Sequence, residues 1–542
     1  MMNTLSDIDR SQRIRIAHGI LLFSFLIIFL QAAGSLSANG VLTVKNMPSV
    51  FWYSGVIEHG HLMPVKSNYE ADLFANNYGN QIQPLLLSNQ GDVIWCEAPI
   101  SINISDTEVT VKSHNQEPVE YNKNGNTLAE AFEFAAANYF SCSGALPDKE
   151  LFLNPQYNTW IELMYDQNQA DILEYANGII NNHFPPGVFM IDDNWQEDYG
   201  KLDFHPGRFS DPQKMVEDLH DMGFKVMLWI CPFISPDNVE YRELESKGLL
   251  IKEESGMPKM IRWWNGVSAL LDLSNPEAVD WFKAQLNYLQ SHYKIDGFKF
   301  DAGDAHFYRD SVSHKNISPN EHSELFAKIG LDYPLNEYRA NWKMGGEPLA
   351  NRLRDKNHNW PDLQMLVPNM IVEGLMGYFY SCPDMIGGGE FLSFLNDAEI
   401  DQELIVRSAQ CHALMPMMQF SVAPWRILDA THLDAVKKAI QIRDDHIDYI
   451  MRTVEESAVK CTPILRSMDY SFPNSGYEQV KNQFLIGDSL LVAPVLDRGC
   501  SVKKVLIPKG VWKGFDGKSY SGPKSYEVIV GISDLPFFEK IK

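Results

Sequence analysis

One unit, written twice, restricts this 542-residue chain more than any other feature. Asp211 precedes Pro212; Met215, Val216, Leu219 and Met222 then recur on one helical face, Gly223 stops the helix, and Phe224 to Ile230 runs on as an apolar strand. Asn275 and Pro276 open the second copy, with Val279, Phe282, Leu286 and Leu289 as its stripe and Ile295-Asp296-Gly297-Phe298-Lys299-Phe300-Asp301 as its strand. Near-continuous apolar strands alternating with amphipathic helices belong to a parallel sheet covered on both faces. From Thr159 to Trp425 there is room for the roughly 250 residues of a (β/α)8 barrel. The expected fold is therefore α/β, a TIM barrel with a β-sandwich domain on either side.

The flanks are β-like. Val41-Leu42-Thr43-Val44, Val93-Ile94-Trp95 and Ile102 to Val111 alternate apolar with polar around the turn Asn89-Gln90-Gly91-Asp92. After a helical region from Leu433 to Val459, strands return at Gln483 to Leu496, Val502 to Ile507, Tyr526 to Val530 and Leu535 to Phe538. The expected domains are 38–150 (N-terminal, β-rich), 151–458 (catalytic barrel with trailing helices) and 459–542 (C-terminal β-sandwich).

Residues 1–37 read as an address. Arg10, Arg13 and Arg15 precede an apolar run from Gly19 to Leu30, followed by small residues to Ser37, as in a secretory signal; a membrane span needs ~20 apolar residues. A cleaved signal is the first reading and a signal anchor the second. Either puts the bulk in the secretory lumen, the periplasm or outside, tethered to the membrane in the second case. Asn103-Ile-Ser105 and Asn316-Ile-Ser318 have the pattern of glycosylation acceptors. The seven cysteines form no CxxC pair and no metal-ligand pattern with His, so they read mainly as small buried apolar residues, with one or two disulfides of open pairing as the second reading. With 46 Lys plus Arg against 70 Asp plus Glu, the formal net charge of −24 excludes a polyanion partner.

Polar residues at the C-terminal ends of barrel strands line the active site in this architecture. Asp192-Asp193-Asn194-Trp195 follows one strand, Trp229 ends the next, and Asp301 ends a third. Trp360-Pro361-Asp362 and Pro383-Asp384 come later. An Asp after a strand is often only the cap of the next helix. Carboxylates at four strand ends among Trp195, Trp229, Trp263, Trp264 and Trp360 instead suit a sugar pocket, where acids bind hydroxyls and indole faces stack on C–H surfaces. Two carboxylates across a scissile bond are also what glycoside hydrolysis requires.

These motifs, with Gly387-Gly388 and Phe484-Leu485-Ile486-Gly487-Asp488-Ser489-Leu490-Leu491-Val492-Ala493-Pro494-Val495, resemble glycoside hydrolase family 31 from about residue 150 onward. Lys299-Phe300-Asp301-Ala302-Gly303 and Met417-Met418-Gln419-Phe420-Ser421 look most like its branch of the myogenesis-regulating glycosidase. The resemblance implies Asp301 as nucleophile and Asp362 as acid/base, with Asp192, Trp195, Trp229, Lys299, Trp360 and Asp384 at substrate-binding positions and Trp264 in the pocket wall. Lys299, two positions before Asp301 on the strand, points to the same side. No metal or organic cofactor is implied. A carbohydrate is the expected partner, and self-association is consistent with the family.

Two departures bear on function. The family's Trp-x-Gly-Asp is here Trp360-Pro361-Asp362, one residue shorter, which makes Asp384 the second acid/base candidate. Its Arg-x-His after Pro-Phe-Met is here Met418-Gln419-Phe420-Ser421, without the groups that hold glucose. The expectation is a retaining exo-α-glycosidase acting on α-galactosides; an α-glucosidase or α-xylosidase, or a tethered sugar-binding protein without turnover, are the other readings. Arg352, Arg354 and Lys356 are equal candidates for the family's basic residue before the acid/base.

Overall fold

The structure, a computed structural model, describes residues 35–37, 39–395 and 399–542. Almost all of the segment read as a signal or anchor lies outside them. Among the described residues no helix is long and apolar enough to cross a membrane.

The barrel strands are β1 (Gln156–Asn158), β2 (Val188–Ile191), β3 (Lys225–Ile230), β4 (Gly297–Phe300), β5 (Asn336–Tyr338), β6 (Asn351–Arg352), β7 (Ser381–Cys382) and β8 (Gln419–Phe420). They form one 8-stranded parallel sheet, β7-β6-β5-β4-β3-β2-β1-β8. The remaining seam is crossed by a parallel bridge of Met385 with Gln419, where the Ile386 N–H donates to the Gln419 carbonyl at 2.8 Å.

Around it lie α1 (Gln169–Asn181), α2 (Pro212–Asp221), α3 (Pro276–Tyr293), α4 (Pro319–Ile329), α5 (Trp360–Leu375) and α6 (Gln402–Ala413), followed by α7 (Ala430–Lys460). The expected caps are present. Asp211 accepts from the Lys214 N–H and Asn275 from the Glu277 N–H, each at 3.0 Å. No helix joins β5 to β6. In its place the chain leaves the barrel as a strand, Asn341–Trp342, that pairs in parallel with Gln81 and Ile82 of the N-terminal domain.

The N-terminal domain has a four-stranded sheet and a six-stranded sheet that includes this visitor. The run expected from Ile102 to Val111 is two strands, Ile100–Ile104 and Glu108–Ser113, because Ser105 Oγ accepts the Glu108 N–H at 3.0 Å and turns the chain. A helix the β-rich reading lacked, Leu128–Tyr139, starts at Thr127, whose side chain caps it. The C-terminal domain is a six-stranded sheet. Its long strand Val502–Gly514, bulged between Ile507 and Gly510, bends over a core of Leu485, Leu491, Trp512 and Phe538.

Four cysteines are the small buried residues expected and Cys500 is partly exposed, but Cys142 and Cys461, 319 positions apart in sequence, form a disulfide with Cα atoms 5.4 Å apart. It ties the end of the N-terminal domain to the residue that caps the C-terminus of the long helix. Cys142→Ser is expected to cost about 2–4 kcal/mol, read as a lower denaturant midpoint that reductant no longer shifts further.

Candidate active site

The C-terminal ends of the barrel strands enclose a cavity of about 620 Å³. β4 supplies its centre. Alternation turns Lys299 and Asp301 inward, and Gly297 lets the strand approach β5, since a Cβ there would stand 1.9 Å from the Leu335 carbonyl oxygen. Ala302 then takes a left-handed conformation, φ +60°, and its N–H donates to Asp301 Oδ1 at 2.8 Å.

Asp301 is the most strongly held anion of the site. Arg339, directly after β5, donates from Nε to Oδ1 at 2.8 Å and forks Asp304 at 3.1 and 2.5 Å, while Trp229 Nε1 donates to Asp301 Oδ2 at 3.1 Å. Burial would raise this carboxyl. Arg339, Lys299 and Arg352 outweigh it and hold Asp301 well below the usual carboxylate range. Lys299 Nζ donates to Asp192 Oδ2 at 2.6 Å, and this buried pair forms part of the cavity lining.

Arg352, at the end of β6, donates from Nη1 to Asp355 Oδ1 at 2.6 Å and Asp384 Oδ1 at 2.8 Å, and its Nε lies 3.4 Å from Glu337. Asp355 lines the cavity with its side chain 37% exposed. Asp384 does not. It sits behind Arg352, accepts from the Lys356 and Gly389 N–H groups at 2.8 and 3.1 Å, and is raised by burial.

Of the residues expected in the site, the cavity gathers Asp192, Trp229, Trp264, Lys299 and Asp301. Four others lie elsewhere: Asp384, behind Arg352, and Trp195, Trp360 and Asp362. Trp195 is fully buried, donates to the Trp229 carbonyl at 2.8 Å and packs edge-on against Phe204. Trp360 opens α5 and donates to Asp401 at 3.0 Å. Asp362 is the third residue of the same helix. Its N–H is capped by Asn359 at 2.8 Å and its carboxylate turns back onto the Asn357 N–H at 2.7 Å, away from the cavity. Of the three basic candidates, Arg352 and Arg354 line the cavity, whereas Lys356 turns to Glu58 at 3.1 Å.

Sequence reasoning missed Asp193, Asp304, Arg339 and Asp355. A usable signal existed for Asp193 and Asp304, which lie in the marked strand-end stretches with Asp192 and Asp301; Arg339 directly follows β5 and Asp355 lies three residues beyond β6. Those strands have only 3 and 2 residues, too short for an apolar run. Among the described residues no group of His, Cys, Asp and Glu could hold a metal ion.

Removing the cation that keeps Asp301 ionised raises its pKa, so at acid pH less of the anion remains. Arg339→Met is expected to move the acid limb of kcat/KM upward by about one unit or more, so that activity is lost at a higher pH on the acid side than in the wild type. An unchanged limb would detach Arg339 from the charge of Asp301.

Residues 155–344 match the model of the glycosyl hydrolases family 31 TIM-barrel domain, and 461–540 that of the family's C-terminal domain. The chain is 31% identical to the myogenesis-regulating glycosidase of Mus musculus, over 73% of this chain and 57% of that protein. It is 23% identical to an α-xylosidase of Lactiplantibacillus pentosus, over 83% of this chain and 61% of the relative. It thus spans less than two thirds of either curated relative. A GH31 dextranase of Flavobacterium johnsoniae solved with glucose superposes with a TM-score of 0.81 at 19% identity, covering 93% of this chain and 67% of the other, a likeness of fold. On these matches the chain belongs to glycoside hydrolase family 31.

Proposed function

We propose that the protein is a retaining exo-acting α-glycosidase in which Asp301 is the nucleophile and Asp355, in place of Asp362, is the acid/base. The observation that carries this is the unequal treatment of two carboxylates facing one cavity. Asp301 is locked as an anion by three cations, while Asp355 is part-exposed and touches a single arginine. Oδ2 of Asp301 accepts one hydrogen bond against two at Oδ1, which makes it the freer attacking atom. It would bond to the anomeric carbon as Asp355 protonates the departing oxygen. Asp355 would then take a proton from water, which releases the sugar from the ester. Net retention follows, with carboxyl groups ~5–5.5 Å apart when substrate is bound.

α-Galactosides are the substrates favoured. Gln419 on β8 donates to Gln156 at 2.9 Å and Glu337 at 2.7 Å inside the barrel, so this stretch offers no cation to a glucose hydroxyl. The buried Lys299–Asp192 pair is left to read the hydroxyls of a terminal sugar. A panel of aryl α-galactosides, α-glucosides and α-xylosides tests the choice, and NMR of the first-formed anomer tests the mechanism. Initial release of the β-anomer would overturn retention. Sugar binding without turnover of any α-glycoside would favour the binding-protein reading. The Cys142–Cys461 disulfide, with the apolar N-terminal segment, further supports residence in an oxidising compartment outside the cytosol; non-reducing thiol labelling of protein from its source tests that.

A further inference from the structure

We propose that Asp193, the second carboxylate after β2, is a positioning residue: with Tyr199 and Asn265 it pins a hairpin turn so that Trp264 walls the leaving-group end of the cavity. The inference rests on the glycosidase reading and deepens it by naming what orients the departing half of the substrate.

The hairpin is Met260–Trp263 with Gly266–Leu270, and its turn carries Trp264 and Asn265. Asn265 Nδ2 donates to Asp193 Oδ2 and, at 2.7 Å, to the Tyr199 hydroxyl; that hydroxyl donates at 2.9 Å to Asp193 Oδ1. The three side chains close a triangle. Tyr199 lies between Gln196–Asp198 and Lys201–Phe204, so the triangle joins three separate pieces of chain. Asp193 is itself buried, 2% exposed, and these side-chain donors are neutral. Burial first, and Asp192 beside it, push its carboxyl up to about 7, consistent with a group kept for its geometry more than its charge.

What the triangle holds is an aromatic series leading out from the nucleophile. Trp229, bonded to Asp301, stacks with Trp263 at 6.5 Å and 11°. Trp263 meets Tyr199 edge-on at 4.8 Å and Trp264 at 5.0 Å. Trp264 is 47% exposed, with the Arg339 guanidinium 5.7 Å from its ring centre. An indole this exposed on a two-residue turn keeps one orientation only if the turn is fastened, and Asn265 is its fastening to the barrel.

Asn265→Ala removes two of the three bonds from the half-buried corner and leaves β2 intact. Two substrates are compared, in the sugar that the wild type hydrolyses: the α-glycosyl fluoride, whose leaving group cannot reach Trp264, and an α-linked disaccharide. Asn265→Ala is expected to lower kcat/KM at least tenfold on the disaccharide, mainly through KM, and less than threefold on the fluoride. Asp193→Ala should reproduce the disaccharide loss, and Asn265→Ala should add nothing to Trp264→Ala. Equal losses on both substrates, or additive losses in the double variant, overturn the proposal. Hydrogen exchange of the peptide 260–270 supplies a readout without turnover: it should quicken at least tenfold in Asn265→Ala, and unchanged exchange also overturns the proposal. A wild type inactive on every glycosyl fluoride would instead overturn the glycosidase reading, with the exchange result still deciding the role of Asp193.

Discussion

With Asp301 as the proposed nucleophile, Asp301→Asn is expected to abolish hydrolysis, with a loss on the order of 10⁴-fold or more on glycosyl fluoride and disaccharide alike, because no leaving group is good enough to dispense with the proposed covalent step. The substitution keeps size and shape but removes the anion that burial opposes and that Arg339, Lys299 and Arg352 sustain. The fold should survive. Arg339 still forks Asp304, and Lys299 still holds Asp192, so no cation is left wholly unpaired. Calorimetry should accordingly detect sugar binding by the dead variant. Residual activity above about one percent, roughly 10²-fold above the expected floor, would move the nucleophile to Asp304, the other carboxylate in the grip of Arg339.

The second large effect separates Asp355 from Asp362. Loss of a general acid costs typically 10²–10⁴-fold, and only where the leaving group needs a proton. Asp355→Asn is expected to lose that much on a disaccharide, to retain substantial activity on a glycosyl fluoride, and to recover turnover when azide replaces water as the second nucleophile. Asp362→Asn should leave both substrates within about threefold and instead cost about 0.5–1 kcal/mol of stability, as its carboxylate sits in the first turn of α5 and accepts from Asn357. Should Asp362→Asn or Asp384→Asn show the substrate-dependent loss instead, the proton donor is that residue.

The barrel was legible because its punctuation is local: Asp211-Pro212 and Asn275-Pro276 act within three residues and do so whatever packs around them. Lys299 and Asp301 were legible for a similar reason, since a strand's period of two carries them to one side. Trp195 and Trp360 were not: an indole beside a strand end can turn inward as easily as outward, and Trp360 opens α5 eight residues beyond β6. Trp195 found the Trp229 carbonyl and Phe204. Asp362 drew attention as a near match to a longer motif, yet Asn359 caps α5 two positions before Pro361 and so commits the aspartate to the helix. Asp355 was not legible either. A strand of two residues has no apolar signature, so nothing marked where β6 ends and its loop begins. The pairing of Cys142 with Cys461 depends on contacts between segments 319 residues apart, and no local pattern announces it.

The strand Asn341–Trp342, which leaves the barrel to pair beside Gln81 and Ile82, also governs the order in which a nascent chain can finish its parts. The N-terminal domain stays one strand short until residue 342 has emerged, by which time five of the eight barrel strands have been made. Its edge is open for that interval, and an open edge invites pairing with another chain. Slow synthesis or a chaperone at that edge should raise the yield of folded protein, and a fragment ending before Asn341 should aggregate, whereas one that runs through β6 should not.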